Sequence, residues 1–150
     1  MIIRKMLPEE LDIVVNLFQY YREVVMIEDE DYDESRVAQT IKTYDINWNM
    51  FFNVAFEGQR PIGVIGGFIT EDPIDGKCAA AIQFCYLLEK YASLTNYRQL
   101  VDTFEGWARE VNASSIKCLD IGNKPNRLED LYSQLGYNKL PITIMGKEIR

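Results

Sequence analysis

The chain has 150 residues, 47% of them hydrophobic, which suits one folded domain with a single core and excludes a disordered tail. Lys and Arg total 16 against 23 Asp and Glu, a net charge of −7, which excludes a nucleic-acid groove built on a basic face. There is no histidine, so a His-based triad, a His metal site and the commonest general base are excluded together.

The N-terminal "MIIRKML" reads as a short strand. Pro8, followed by Glu9 and Glu10, marks a helix start: proline fits the first turn, and carboxylates favour the positive end of the helix. Leu11, Val14, Val15, Phe18, Tyr21 and Val25 then recur at helical spacing, which predicts a helix over residues 8–25. "EDEDYDE", residues 28–34, is an acidic run. It lacks the glycine and spacing of a calcium loop and reads as a solvated loop, with no metal site. Ser35 is placed to cap a short second helix over residues 36–43.

"MFFNVAF" and "IGVIGGFI", joined by "EGQRP", form a predicted hairpin. "EDPIDGK" is a loop rich in turn formers. "CAAAIQFCYLL" reads as a strand buried on both faces and central in its sheet. A helix over residues 96–111 follows, its apolar side carrying Leu100, Val101, Phe104, Trp107, Ala108 and Val111, with Trp107 expected to be largely buried. "SSIKCLDI" is a further strand. "LEDLYSQLG" is a helix that Gly136 ends, and "YNKLPITIMGKEI" closes the chain as one or two strands. The three cysteines, Cys78, Cys85 and Cys118, lie in apolar strand-like runs without a CxxC spacing and read as buried thiols of a reducing compartment. No run reaches the roughly 18 apolar residues of a membrane span, and the N-terminus turns acidic too early for a signal peptide. The expected setting is the cytoplasm, or a virion if the chain is phage-encoded.

The order β-α-α-β-β-β-α-β-α-β resembles the fold of the Gcn5-related N-acetyltransferases, the GNAT family. "IIRKMLPEELDIVVNLF" is similar to the family's first strand and helix, and "VAFEGQRPIGVIGGFI" to its hairpin. "VDTFEGWAREVNASSIKCLDIGNKPNRLEDLYSQLGY" carries the most specific likeness, to a helix with "WA", a strand, an Asn and "LYxxLGF". The resemblance implies an α/β (α+β mixed) domain spanning residues 1–150, with a mixed, mostly antiparallel sheet and helices on both faces. It also implies transfer of an acetyl group from acetyl-CoA to an amine.

In the family the strand before the central helix splays from its neighbour, and the cofactor enters the gap. Its pyrophosphate meets N–H groups at the helix start. The resemblance therefore points to Leu87, Leu88, Thr95, Tyr97, Arg98 and Asn126 as cofactor contacts. Tyr132 matches the tyrosine that protonates the departing thiolate. Glu57, Glu71 and Glu89 are the nearest carboxylates for the base. Any of them could act through water, and Glu89, after the central strand, is set beside Tyr132 as the catalytic pair. The family's turn reads "Q/RxxGxG/A", whereas this chain has Ala92, Thr95 and Tyr97 at those positions. Tyr97 is expected to set a phenol where phosphate should rest. Two readings follow: an acyltransferase whose acidic surface draws a cationic amine, or a non-catalytic binding or assembly module with a protein partner, such as a virion component. Self-association into a homo-oligomer is open in both, and an unrelated structural α/β domain is the third reading.

Overall fold

The computed structural model describes residues 1–25, 32–119, 128–141 and 145–149. Strand β1 (Ile2–Arg4) leads into a 3-10 turn, Pro8–Glu10, and helix α1 (Leu11–Val25). The Glu10 carboxylate stitches this entry together. It accepts the Leu7 N–H at 2.6 Å and two Arg4 guanidinium nitrogens at 2.9 Å each. These contacts hold Glu10 at a pKa of about 2, the Arg4 bonds contributing most.

Helix α2 (Glu34–Ile46) begins earlier and ends later than the sequence predicts. Its cap is Asp33, whose carboxylate accepts the Arg36 N–H at 3.1 Å, rather than Ser35. Both residue types can cap. The chain is still extended at Asp33, and Ser35 already lies inside the helix. The acidic run is thus partly helical at its end, while residues 28–31 lie outside the described residues.

Strands β2 (Met50–Glu57) and β3 (Arg60–Glu71) form the predicted hairpin, with Gly58 turning at φ 62°. Strand β4 (Cys78–Leu87), a 3-10 turn at Glu89–Tyr91, helix α3 (Leu94–Glu110), strand β5 (Ser115–Cys118) and helix α4 (Leu128–Gln134) complete the order. Ser93 caps α3 by accepting the Asn96 N–H at 3.1 Å. Gly136, at φ 94°, ends α4 as expected, and the Tyr137 N–H donates back to the Tyr132 carbonyl at 2.9 Å.

The sheet runs β1-β2-β3-β4-β5, antiparallel except for the parallel β4–β5 pair. The middle strand is therefore β3, and β4 is one in from the edge, a correction to its expected central place. The reason lies at the C-terminus: none of the described residues in 137–149 is in a strand, and residues 142–144 lie outside the description. Nothing described therefore extends the sheet past β5.

Alternation along the strands splits the core in two. Phe52, Val54, Val64, Phe84 and Tyr86 pack with Val14, Val15, Leu17 and Ile41 of α1 and α2. Ala55, Ile65, Ile82, Cys85 and Leu87 pack with Tyr97, Leu100, Val101, Phe104 and Ala108 of α3 and Tyr132 of α4. Burying Leu100, Val101 and Phe104 contributes about 1.5–3 kcal/mol each, enough to hold a helix that also carries Thr, Asn, Asp and Gly. Trp107 packs on this core as expected, though less deeply than the stripe itself, because it sits on its flank against Phe51 and Phe104.

Candidate functional site

Strand β5 accompanies β4 only over residues 79–82, and one further bond, Leu119 N–H to the Ile82 carbonyl at 2.9 Å, closes the pairing. On the β5 side the description stops at residue 119. β4 runs on through residues 83–87 with no described strand on its β5 side. Just past the last described pair Gly66 faces Phe84 and Gly67 faces Ile82, so Gln83 is an extra residue, a β-bulge. Gln83 is exposed between buried neighbours. The paired glycines permit the bulge. A Cβ on Gly67 would lie 2.0 Å from the Ala81 carbonyl oxygen, and one on Gly66 2.2 Å from the Phe84 ring.

Gln83 opens onto a cleft of about 950 Å³ lined by β5, α4 and the C-terminal half of α3. Tyr132 lines it from α4, but its ring belongs to the core, only 6% exposed, and its hydroxyl is buried. Its ring meets Tyr137 edge-on at 5.4 Å. The Tyr137 hydroxyl donates to Glu105 at 2.8 Å, and burial, then the Glu105 bond and charge, push its pKa well above the usual tyrosine range. Arg109 and Lys139, also on the lining, pair with Glu105 at 3.5 Å and Glu129 at 3.3 Å.

At the far end of β4 the backbone is engaged by a side chain. The Leu87 N–H donates to the Tyr97 hydroxyl at 3.2 Å. Tyr97 is 6% exposed and belongs to the same buried cluster as Leu87 and Tyr132. The ring therefore turns inward, under the first turn of α3 and against the strand edge. It does not stand outward at the helix start, where the sequence reading set it. The cause is helical phase: positions 97, 100, 101, 104 and 108 form one stripe, and that stripe faces the sheet.

The other expected residues divide. Leu88 is half-buried, its N–H donating to the Ile62 carbonyl at 2.8 Å. Glu89, Thr95 and Arg98 are exposed around the same corner. Glu57 pairs with the N-terminal ammonium at 3.3 Å, and Glu71 sits at the opposite end of β3 from Gly63, the partner of Leu87. Asn126 lies outside the described residues. Sequence reasoning missed Gln83, although a lone polar residue inside "CAAAIQFCYLL" was the available signal. It also missed the Glu105–Tyr137 pair, which only the return of the chain after α4 brings together. Among the described residues no three acidic or cysteine side chains gather as metal ligands would, and no helix is long and apolar enough to cross a membrane.

A mixed sheet whose fourth and fifth strands alone are parallel, with a bulge in the fourth and helices on both faces, is the acetyltransferase scaffold. Residues 14–137 match the model of the Acetyltransferase (GNAT) family, and the chain belongs to that family. Solved structures share the fold at low identity. A ribosomal-protein-alanine N-acetyltransferase from Brucella melitensis biovar Abortus 2308 has a TM-score of 0.75 at 12% identity, covering 99% of each chain. Aminoglycoside antibiotic 6'-N-acetyltransferase AAC(6')-IG from Acinetobacter haemolyticus has a TM-score of 0.78 at 14% identity, covering 100% of both chains. AAC(6')-Iy, solved with the bisubstrate analog CoA-S-monomethyl-acetylneamine, has a TM-score of 0.79 at 12% identity, covering 99% of this chain and 98% of that one. A search of curated proteins returns no match.

Proposed function

We propose that this chain is an N-acetyltransferase that uses acetyl-CoA weakly and acts on a cationic amine, in the cytoplasm. The observation that carries the reading is the β4 edge: residues 83–87 run beyond the last described pairing with β5, and Gln83 at its start shares a cleft with Tyr132. Acetyl-CoA, when bound, supplies an activated acyl group. The chain's own part is to offer backbone donors along β4, to hold a proton at the Tyr132 hydroxyl for a thiolate, and to take the ammonium proton at Glu89 through water. The net charge of −7 favours a cationic acceptor. Relatives of the fold named as aminoglycoside acetyltransferases support an amine as the acceptor.

The fit to the cofactor is partial. The strand edge is present, but its Leu87 N–H is taken by Tyr97. An incoming amide carbonyl therefore competes with a phenol of the chain itself, and this is the reason for weak use. The same contact favours a second reading, a non-catalytic binding or assembly module in which the ring stays in place. Calorimetric titration with acetyl-CoA, together with thiol release in the presence of kanamycin or polylysine, separates the two. Weak heat and slow turnover that both rise in Tyr97→Phe support the enzyme. No heat and no turnover in either protein would leave the module.

A further inference from the structure

A second cleft, of about 510 Å³, lies between the start of β2 and the outer side of α3. Trp48, Phe51, Phe52 and Trp107 supply its aromatic lining, and Asp102 and Glu110 its carboxylates. These are the only two tryptophans of the chain. Trp48 is 82% exposed on the turn before β2, next to Ile46 at 81%, an apolar pair that nothing described covers. Trp107 is half-buried, its ring 5.3 Å from Phe51. Asp102 and Glu110 are exposed, and neither joins an ion pair among the described residues. Between them Gly106 leaves the helix bare, with nothing within 4 Å of where its Cβ would stand. Lys5 also lines the cleft, and its ammonium is directed at the Asp45 carbonyl at 3.5 Å.

The third feature is a strand edge. β1 pairs with β2 only over residues 54–56, so residues 50–53 of β2 have no described strand on their outer side. An edge of that kind accepts an extended peptide by main-chain pairing.

We propose that this cleft binds an extended, basic segment of a partner protein, with lysine or arginine side chains held by the tryptophan faces and by Asp102 and Glu110. Ring faces attract cations, and the two carboxylates supply the charge that a ring alone lacks. The spacing agrees. Asp102 and Glu110 are eight residues apart on one helix, a rise of ~12 Å. Two cations at i and i+4 of a strand stand ~13 Å apart on one face. The residue at i+2 then meets the aromatic wall between them. The cleft is distinct from the β4 edge: Tyr97 is in the first turn of α3, whereas Trp107 and Glu110 are in its last. Its occupancy therefore does not depend on acyl transfer.

Because both tryptophans line the cleft, intrinsic emission reports on it alone. The probe is the blocked pentapeptide Lys-Thr-Leu-Thr-Lys, with Glu-Thr-Leu-Thr-Glu as control, titrated into the full chain at low salt. The lysine peptide should give a saturable change in tryptophan emission, and the glutamate peptide none. The double variant Asp102→Asn, Glu110→Gln alters two exposed positions and should weaken binding by at least about fivefold. Trp48→Ala, also at the surface, should weaken it similarly, read from Trp107. No saturable change up to millimolar lysine peptide would overturn the proposal. So would equal affinity in the double variant, or equal binding of the glutamate peptide.

Discussion

Tyr97→Phe removes one oxygen and keeps the ring, so it tests the contact on which the proposed weak cofactor use rests. Leu87 is 1% exposed, and its N–H has the Tyr97 hydroxyl as acceptor at 3.2 Å. Deleting the acceptor leaves a buried donor unpaired, at about 1–3 kcal/mol. The bond is long for N–H···O, which places the expected loss at the lower end, about 1 kcal/mol. That loss lowers Tm by about 2–4 °C for a chain of this size. A ligand that brings an acceptor to the same N–H recovers the loss on binding. Affinity for acetyl-CoA should therefore rise by about fivefold while stability falls. Urea denaturation and calorimetric titration on parent and variant measure the two sides. Tyr97→Ala is a poorer probe, since losing a buried ring costs about 3–5 kcal/mol, much of the ~5–15 kcal/mol available to a native protein. The reasoning is refuted if Tyr97→Phe loses no stability, or if its affinity for acetyl-CoA does not change. Micromolar binding by the parent, about −8 kcal/mol, would also show that the phenol is no obstacle.

Glu10 titrates at about 2 instead of 4.5, chiefly through the Arg4 bonds, so its contribution is full above pH 4.5 and fades as pH falls toward 2. Glu10→Gln should be less stable than the parent at neutral pH, with the difference shrinking across that window in denaturant titrations. Gly67→Ala should destabilise by about 3 kcal/mol, because its Cβ would meet a backbone carbonyl at 2.0 Å and the Phe104 ring at 2.7 Å. Gly106→Ala faces open space inside α3 and should stabilise by about 0.5–1 kcal/mol in the same assay. Native alkylation followed by mass spectrometry should label half-buried Cys78 and Cys118 ahead of fully buried Cys85.

What the sequence made legible is what periodicity controls. The stripe through Leu100, Val101, Phe104 and Ala108 placed α3 to within two residues at its start, and the Glu57–Gly58 turn placed the hairpin. What it hid needs partners distant in the chain. Gln83 is a bulge only because Gly66 and Gly67 set the register opposite it. The place of β4 depends on which strands the chain after α4 contributes, and the described residues there contribute none. Tyr97 is the instructive middle case. Matched to the family's turn, it occupies a glycine-type position and suggests a ring at the phosphate. Counted along the helix, it is three residues before Leu100 and four before Val101, in phase with the buried side. The second count was available from the sequence, and it is the one the fold obeys.

The phase also sets the terms for function. An outward ring would exclude phosphate by steric bulk, and no cofactor could bind without replacing the residue. An inward ring leaves the outer N–H groups of the helix start approachable and competes for one strand donor instead. Burial of a large side chain contributes about 1.5–3 kcal/mol, and its hydrogen bond about 0.5–1.5 kcal/mol. A ligand that must move the ring loses that sum, a penalty of roughly thirtyfold to two-thousandfold in affinity. That range separates tight from weak binding without abolishing it. On the proposed function, the missing glycines therefore do not by themselves exclude acetyl-CoA; the cost of displacing one tyrosine ring sets how tightly it is held.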